Sequence, residues 1–344
     1  GTSKIKSLLD DCRSLGTFHF SRIARFAFIG KAILSDLVKK DIVNKEFYDK
    51  FLMCLKSPAK DLKSDSELIS QNKMDIDSFL DKYGHLRPGT YDITSNRYST
   101  YPKILFEKTP LKETINHSED WSVPEKILNK IDALLVNEGF GFNAEHLFSF
   151  IKDTIGEREY LKFEFSKNIS EVLEIIAQLG DRIGLSREEI SNLSINDILI
   201  NFKNLESQKT INKLIQIIKT RKKMQDKSRR VFLPPIVFSE KDFDLINLGG
   251  AKPNFITQKQ VSGKFVVLTK NAFPHLVDLT EKIVVIENAD PGFDWILSKN
   301  ILGLITKYGG VASHMAIRCA EFGIPAAIGC GENLFSKIQD SRMI

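Results

Sequence analysis

The stretch from Gly303 to Gly329 constrains the fold of this chain more than any other part of the sequence. A short apolar run ends in the glycine pair 309–310. Ser313 then stands where a helix N-cap belongs, because a serine hydroxyl can accept a first-turn amide. Gly323 is the residue expected to end that helix, since glycine readily takes the left-handed conformation. We predict a strand, a glycine turn, a helix beginning at His314 and a second strand.

His314 stands in a favourable position for carrying a phosphoryl group. Unpaired N–H groups and the positive end of the helix dipole stabilise an anion at a helix N-terminus. Gly309 and Gly310 have no Cβ, so their backbone amides can approach that anion closely. A capped helix with a buried histidine is the alternative that these few residues leave open.

A longer pattern of fixed order and spacing surrounds His314. Its members are Thr306, Gly309, Gly310, Ser313, His314, Ala316, Ile317, Gly323, Ile324, Pro325 and Gly329. The pattern resembles the phosphohistidine signature of the swivelling domain in phosphoenolpyruvate-utilising enzymes, which include phosphoenolpyruvate synthase, pyruvate phosphate dikinase and rifampicin phosphotransferase. The resemblance implies that His314 receives a phosphoryl group and passes it on. The family usually has an arginine where this chain has Ala320, and Arg318 is the candidate to supply that charge.

The segment 83–98 interrupts an otherwise helical pattern. Its glycine and proline residues prevent a continuous helix, and its ionisable side chains include His85, Arg87, Asp92 and Arg97. Binding residues are common on such loops, but a structural loop whose charges pair with one another is an equal alternative. The segment also resembles a loop in the acceptor-binding helical domain of rifampicin phosphotransferase and its relatives. The resemblance implies that His85 and Arg87 face the acceptor, with Asp92 and Arg97 beside them.

Two further segments fit the same helical domain more loosely. They contribute the candidates Arg22, Arg25, Arg158 and Lys162. Ion pairs on helix surfaces would produce the same residues. Hydrolytic or metal chemistry at His85 and Asp92 is a different-enzyme alternative, but no second pair with ligand spacing supports it, and we predict no metal site.

Residues 1–228 are predicted to form a mainly helical domain. Apolar residues recur at helical spacing in the ranges 26–37, 47–55, 127–136, 169–179 and 211–218. Ser186 and Ser194 precede segments with helix-start signals and are expected to be N-caps. We interpret the basic run 219–230 as a solvated helix end that leads into a linker.

A proline- and glycine-rich linker over 229–252 is predicted to separate this domain from an α/β domain over 253–344. Short β-branched runs there occupy 255–257, 264–269, 282–287, 303–306 and 326–329. This alternation matches the compact β/β/α swivelling phosphohistidine domain of the family. Asp290 and Asp294 could orient His314 or cap a short helix, and we favour capping.

Composition excludes several classes of function. With 344 residues and 42% hydrophobic content, the chain has room for two globular domains. The net charge of +5 is small, and the lack of a basic stripe argues against a nucleic-acid partner. The four cysteines lack metal or disulfide spacing, which fits reduced thiols in the cytoplasm. Arg25 and Lys31 interrupt the apolar run 23–34, so we predict no membrane span.

The sequence contains no glycine-rich nucleotide loop and no ATP-grasp pattern. It begins Gly-Thr-Ser without a methionine, which we interpret as a cloning remnant on part of a longer protein. The resemblance therefore implies the phosphohistidine-carrying part of an ATP-dependent phosphotransferase, phosphoenolpyruvate synthase-like. ATP and Mg²⁺ would bind an ATP-grasp domain outside this chain, which itself needs no cofactor, and His314 would pass the phosphoryl group to a small-molecule acceptor. A non-catalytic scaffold with an unused histidine is the alternative.

Overall fold

The computed structural model describes residues 1–87, 91–100, 122–228, 238–241, 252–268, 277–289, 293, 296–297 and 299–341. Helices occupy most of the described residues before 229, and a five-stranded sheet with its own helices follows residue 252. The predicted fold class, a mainly helical part followed by an α/β domain, is confirmed. Most of the predicted linker, together with Asp290 and Asp294, lies outside the described residues.

The helical part contains long helices joined by short connections. The α-helices are α1 (Thr2–Asp11), α2 (Phe18–Lys39), α3 (Lys45–Cys54), α4 (Pro58–Ser70), α5 (Ile76–Tyr83), α6 (Glu125–Asn137), α7 (Ala144–Asp181), α8 (Arg187–Ile190), α9 (Ile195–Asn201) and α10 (Gln208–Ser228). A π-helical segment, Cys12–Thr17, joins α1 to α2. The five ranges with helical periodicity fall in α2, α3, α6, α7 and α10, as predicted. Across the described ranges, every helix is too short or too polar for a membrane span.

Contacts divide the chain into two compact units. One unit consists of Ser7–Phe79 and Pro110–Ile169, and the other of Gly1–Lys6, Leu80–Thr109 and Ser170–Ile344. The first unit is helical and has an apolar core built by α2, α3, α6 and the first half of α7. Its buried members are Leu34, Leu37, Val43, Phe47, Phe51, Leu55, Ile131, Leu135, Ala144, Leu147, Phe148 and Ile151.

Helix α2 does not bury the whole stripe that its spacing suggests. Its buried positions include Ala24, Ala27 and Gly30, and a Cβ on Gly30 would lie 3.4 Å from the Cα of Ile151 on α7. Because small residues let the two helices approach closely, the larger apolar side chains fall on the other side of α2. Phe26 is therefore 49% exposed.

The second unit confirms both predicted N-caps. The hydroxyl of Ser186 accepts the N–H of Glu189, and the Glu189 carboxylate accepts the N–H of Ser186. Ser194 and Asp197 make the same reciprocal pair at the start of α9. Arg221 of α10 pairs with Asp197, so one residue of the predicted basic run has a structural partner.

The α/β part has a mixed sheet of five strands in the order β1-β5-β4-β3-β2. The strands are β1 (Asn254–Ile256), β2 (Phe265–Leu268), β3 (Ile283–Asn288), β4 (Gly303–Tyr308) and β5 (Ala326–Ile328). Strands β2 to β5 pair in parallel, and β1 is antiparallel to β5. Each predicted strand run overlaps one observed strand.

Two helices cover the faces of this sheet. Helix α11 (His314–Phe322) packs Met315 and Cys319 into the same core cluster as Val284 and Ile286 of β3. Helix α12 (Gly331–Gln339) packs Phe335 and Ile338 into a second cluster, on the opposite face of the sheet, with Ile283 and Val285 of β3. Both helices begin beside the carboxyl ends of parallel strands, which is where open α/β sheets bind ligands.

Candidate functional site

His314 is the first residue of α11, as predicted. Ser313 before it has an extended backbone, and its hydroxyl accepts the N–H of Ala316 at 3.4 Å. The N–H of Ser313 donates to the carbonyl of Gly310 at 2.9 Å, which closes the turn. The helix ends at Gly323 with φ +64°. The imidazole is partly exposed at the N-terminus of this helix.

Two glycine backbones touch at the base of the turn. Gly309 has φ +134° and Gly329 has φ +77°, conformations that side chains disfavour. A Cβ on Gly329 would collide with the carbonyl oxygen of Gly309, and one on Gly309 would lie 2.7 Å from the Cβ of Ala289. Gly310 differs, because a Cβ there would meet no described heavy atom within 4 Å. The backbone is therefore open to an approaching anion at Gly310.

Thr306 holds the ends of β4 and β5 together. It is fully buried, and its hydroxyl accepts the N–H of Gly329 at 3.0 Å. Its carbonyl accepts the N–H groups of Gly329 at 3.1 Å and Cys330 at 2.9 Å. Thr306 thus positions the glycine contact from the interior. Its predicted place in the catalytic site stays a prediction.

Arg318 has two partners further along α11. One of its nitrogens, Nη1, donates to the carboxylate of Glu321 at 2.8 Å, and its guanidinium carbon lies 4.7 Å from the ring centre of Phe322. Both partners come later in the helix, so the side chain extends toward its C-terminal end. The role predicted for Arg318 beside His314 stays a prediction.

A polar cluster between the end of β4 and helix α12 was not predicted. Lys307 lies 2.6 Å from the carboxylate of Glu332, and the hydroxyl of Tyr308 donates to the same carboxylate at 3.2 Å. Burial lowers the pKa of Lys307, but Glu332, Tyr308 and Glu287 outweigh it and raise that pKa overall. The cluster ties the first turn of α12 to the strand that leads into the glycine pair. The only sequence signal was a lysine inside a buried strand.

Arg87 has a buried structural environment, which corrects the expectation that it faces an acceptor. Its side chain is 1% exposed. Nη1 donates to the carbonyls of Ser95 at 2.9 Å and Asp92 at 3.4 Å, and Nη2 donates to the carboxylate of Glu174 at 3.1 Å and the hydroxyl of Ser170 at 3.0 Å. The guanidinium therefore holds the loop that contains it.

The other charged residues of this loop also have partners within the chain. The Asp92 carboxylate accepts the N–H of Thr94 at 2.9 Å and its hydroxyl at 2.7 Å, which forms a local turn. Arg97 pairs with Glu171 at 3.4 Å, and Lys4 pairs with the same carboxylate at 3.0 Å. The structural alternative accounts for these two side chains. The acceptor-binding roles predicted for Asp92 and Arg97 stay predictions.

His85 is the member of the loop that best fits the acceptor-binding prediction. The residue as a whole is partly exposed, although the Nε2 atom of its imidazole is buried. Its backbone carbonyl accepts the hydroxyl of Ser170 at 2.6 Å. The loop backbone is thus anchored to α7 directly at His85, which fixes the Cα from which the imidazole extends.

The weaker candidates belong to the other compact unit. Arg22 and Arg25 are exposed on α2, and the guanidinium carbon of Arg22 lies 5.8 Å from the ring centre of Phe18. Arg158 pairs with Glu159 and lies 6.0 Å from the ring centre of Phe28, while Lys162 is partly exposed. Exposed apolar side chains accompany them on α2 and the segment before it: Leu15, Phe18, Phe26, Phe28 and Ile29.

The described residues include no group of three His, Cys, Asp or Glu side chains that could hold a metal ion.

Residues 279–344 match the family described as PEP-utilising enzyme, mobile domain. This range spans β3 to α12 and includes the whole turn around His314. These residues are therefore similar to the mobile domain of PEP-utilising enzymes. The chain is also similar to rifampicin phosphotransferases over most of its length, which includes the helical part. The chain thus carries a phosphotransferase-family domain.

Three such relatives have similar coverage. The one from Bacillus cereus is 25% identical over 78% of this chain and 33% of the relative. The one from Bacillus subtilis is 24% identical over 80% of this chain, and the one from Streptomyces sviceus is 22% identical over 78%. Each alignment covers 33% of the relative, so the chain spans about a third of the length of the curated relatives it matches.

Proposed function

We propose that this chain is the phosphohistidine-carrying part of an ATP-dependent phosphotransferase. The position of His314 carries the proposal, because it combines a helix N-terminus, a glycine turn and the carboxyl ends of parallel strands. First-turn N–H groups and the helix dipole favour a phosphoryl group there. The open backbone at Gly310 leaves room for its oxygens.

The reaction has two half-reactions. In the first, an imidazole nitrogen of His314 attacks the phosphorus of the donor; the N–P bond forms as the P–O bond to the leaving group breaks, and the imidazole proton passes to solvent. In the second, a hydroxyl oxygen of the acceptor attacks the same phosphorus, the N–P bond breaks and a base takes the hydroxyl proton. ATP with Mg²⁺, held by another part of a longer protein, is the donor in this proposal.

The acceptor is proposed to be a small molecule with a hydroxyl group. The names of the relatives make rifampicin the first probe, and they favour it over the pyruvate of a phosphoenolpyruvate synthase-like reaction. His85 is the candidate base for the hydroxyl proton, a role worth about a hundredfold in rate. The exposed aromatic and arginine side chains of α2 are a second candidate surface for binding the acceptor.

The carrier role can be tested on this chain with phosphoramidate, a small phosphoryl donor that reacts with imidazole. Of the six histidines, we expect His314 to acquire an acid-labile, base-stable phosphoryl group fastest, because its surroundings stabilise the product. Mass spectrometry of peptides produced at neutral pH would locate the group. His314→Ala is the control, and in this variant the most rapid phosphorylation should be lost.

Unfolding the chain in urea should abolish the preference for His314, since the preference depends on the folded turn. Equal modification rates at the exposed histidines of the folded chain would contradict the carrier role. They would favour the alternative of a scaffold with an unused histidine.

A further inference from the structure

Glu174 of α7 lies between two guanidinium groups. Its carboxylate is 3.1 Å from Nη2 of Arg87 and 2.7 Å from Nη2 of Arg187, the first residue of α8. The side chain of Glu174 is 6% exposed, that of Arg87 1% and that of Arg187 22%. One carboxylate therefore joins the loop after α5 to two helices of the same compact unit.

The same two arginines hold the backbone of the described parts of the loop 84–97, which are residues 84–87 and 91–97. Arg87 donates to the carbonyls of Ser95 and Asp92, and Arg187 donates to the carbonyl of Ile93 at 3.0 Å. Ser170 accepts from Arg87 and donates to the carbonyl of His85. Side chains thus satisfy loop carbonyls that would otherwise be costly to bury.

This arrangement holds the described loop backbone at an electrostatic cost. Two guanidinium groups face one buried carboxylate, and buried charges lose hydration that their attraction only partly restores. Burial raises the pKa of Glu174, but Arg187 and then Arg87 and Arg97 lower it further, so the net shift is downward. Glu174 is consequently ionised at neutral pH and able to hold both arginines.

We propose that Glu174 is a positioning residue that fixes the loop 84–97 through Arg87 and Arg187, so that His85 is presented to the phosphoryl acceptor. The inference rests on the proposed function for its catalytic consequence. In this assignment Arg87 contacts the loop and not the acceptor, and Ser170 sets the backbone position of His85.

The chain offers a matched pair of variants. Glu174→Gln keeps the shape of the side chain and removes its charge. Glu171→Gln makes the same change three residues earlier on α7. The Glu171 carboxylate also binds the loop, through Arg97, but its side chain is 38% exposed. Three quantities are measured for both: loading of His314 by phosphoramidate, single-turnover discharge to rifampicin over a range of concentrations, and hydrogen exchange of the amides in the loop.

We expect Glu174→Gln to load His314 at the normal rate. Its discharge rate at saturating rifampicin should fall about a hundredfold, as misplaced catalytic groups typically cost, and loop exchange should rise. The discharge rate of Glu171→Gln should stay within about twofold of that of the unmodified chain, because exposed ion pairs contribute little. The alternative outcome is an unchanged discharge rate at saturating rifampicin with a higher rifampicin concentration needed for half-saturation. That outcome would make the loop a binding element and overturn the positioning role.

Arg187→Lys provides a second variant in case Glu174→Gln unfolds. It keeps the charge but loses the fork that reaches both Glu174 and Ile93, and it should show the same combination of normal loading, slow discharge and faster loop exchange. Normal discharge with unchanged loop exchange in either folded variant would overturn the proposal. If the unmodified chain fails to load His314 or to discharge to rifampicin, the proposed function or its acceptor is wrong; loop exchange then decides the role of Glu174 alone.

Discussion

Arg318 is occupied along α11 by Glu321 and by the ring of Phe322. A guanidinium engaged toward the end of a helix contributes little at its first turn, where the field of a charge is also screened by solvent. We expect backbone N–H groups and the helix dipole to supply most of the positive environment of His314.

Replacing Arg318 should accordingly have a small effect on the phosphorylation of His314. We expect Arg318→Ala to load phosphate within about threefold of the unmodified chain, the size of effect typical of partly exposed ion pairs. The measurement is the initial rate of labelling by phosphoramidate, with Glu321→Gln as the control that releases the arginine without removing it. A loss of about a hundredfold, corresponding to about 2.7 kcal/mol, would restore Arg318 as the substitute for the family arginine.

The turn between β4 and α11 depends on the contact of two glycine backbones. Thr306 holds the end of β5 against β4 by accepting the N–H of Gly329. Lys307 and Glu332 tie α12 to the same strand from the opposite face. Interactions on both faces of the sheet thus position the turn that carries His314.

Two alanine substitutions in this turn should differ in their effect on stability. Gly329→Ala places a Cβ against the carbonyl of Gly309 at φ +77°, and we expect a loss of about 1–3 kcal/mol in the free energy of unfolding. Gly310→Ala meets open space and should cost less than about 1 kcal/mol. Urea denaturation of the whole chain would measure both. Equal losses would contradict the close approach of Gly309 and Gly329.

In the proposed function, the chain as a whole supplies a carrier histidine and a candidate acceptor site. The alignments with the three relatives each cover 33% of the relative's length. A carrier histidine allows the donor and acceptor reactions to take place at separate sites. The two half-reactions can therefore be studied one at a time.

The chain by itself is expected not to bind ATP tightly. Its sequence has no glycine-rich loop to surround the phosphates, and a nucleotide without such contacts gains little binding energy. Titration calorimetry with ATP and Mg²⁺ should give a dissociation constant weaker than about 1 mM. A micromolar constant that persists in His314→Ala would reveal a nucleotide site in this chain.

The local elements around His314 were predictable from the amino-acid sequence. The cap at Ser313, the end at Gly323 and the five strands were all predictable, because side-chain capping, glycine conformation and β-branching act between residues close in the chain. The family signature depends on the same local spacing. For this reason the position of His314 at the helix start followed from the sequence alone.

Which charged side chains are accessible depends on tertiary packing. Arg87 has the sequence features of a binding residue, yet it meets Glu174, 87 positions away, and is buried. Lys307 meets Glu332 only because β4 and α12 adjoin. The close packing of α2 on α7 likewise left Phe26 exposed. Each outcome depends on packing between elements distant in sequence, and helical or strand periodicity gives only the spacing within one element.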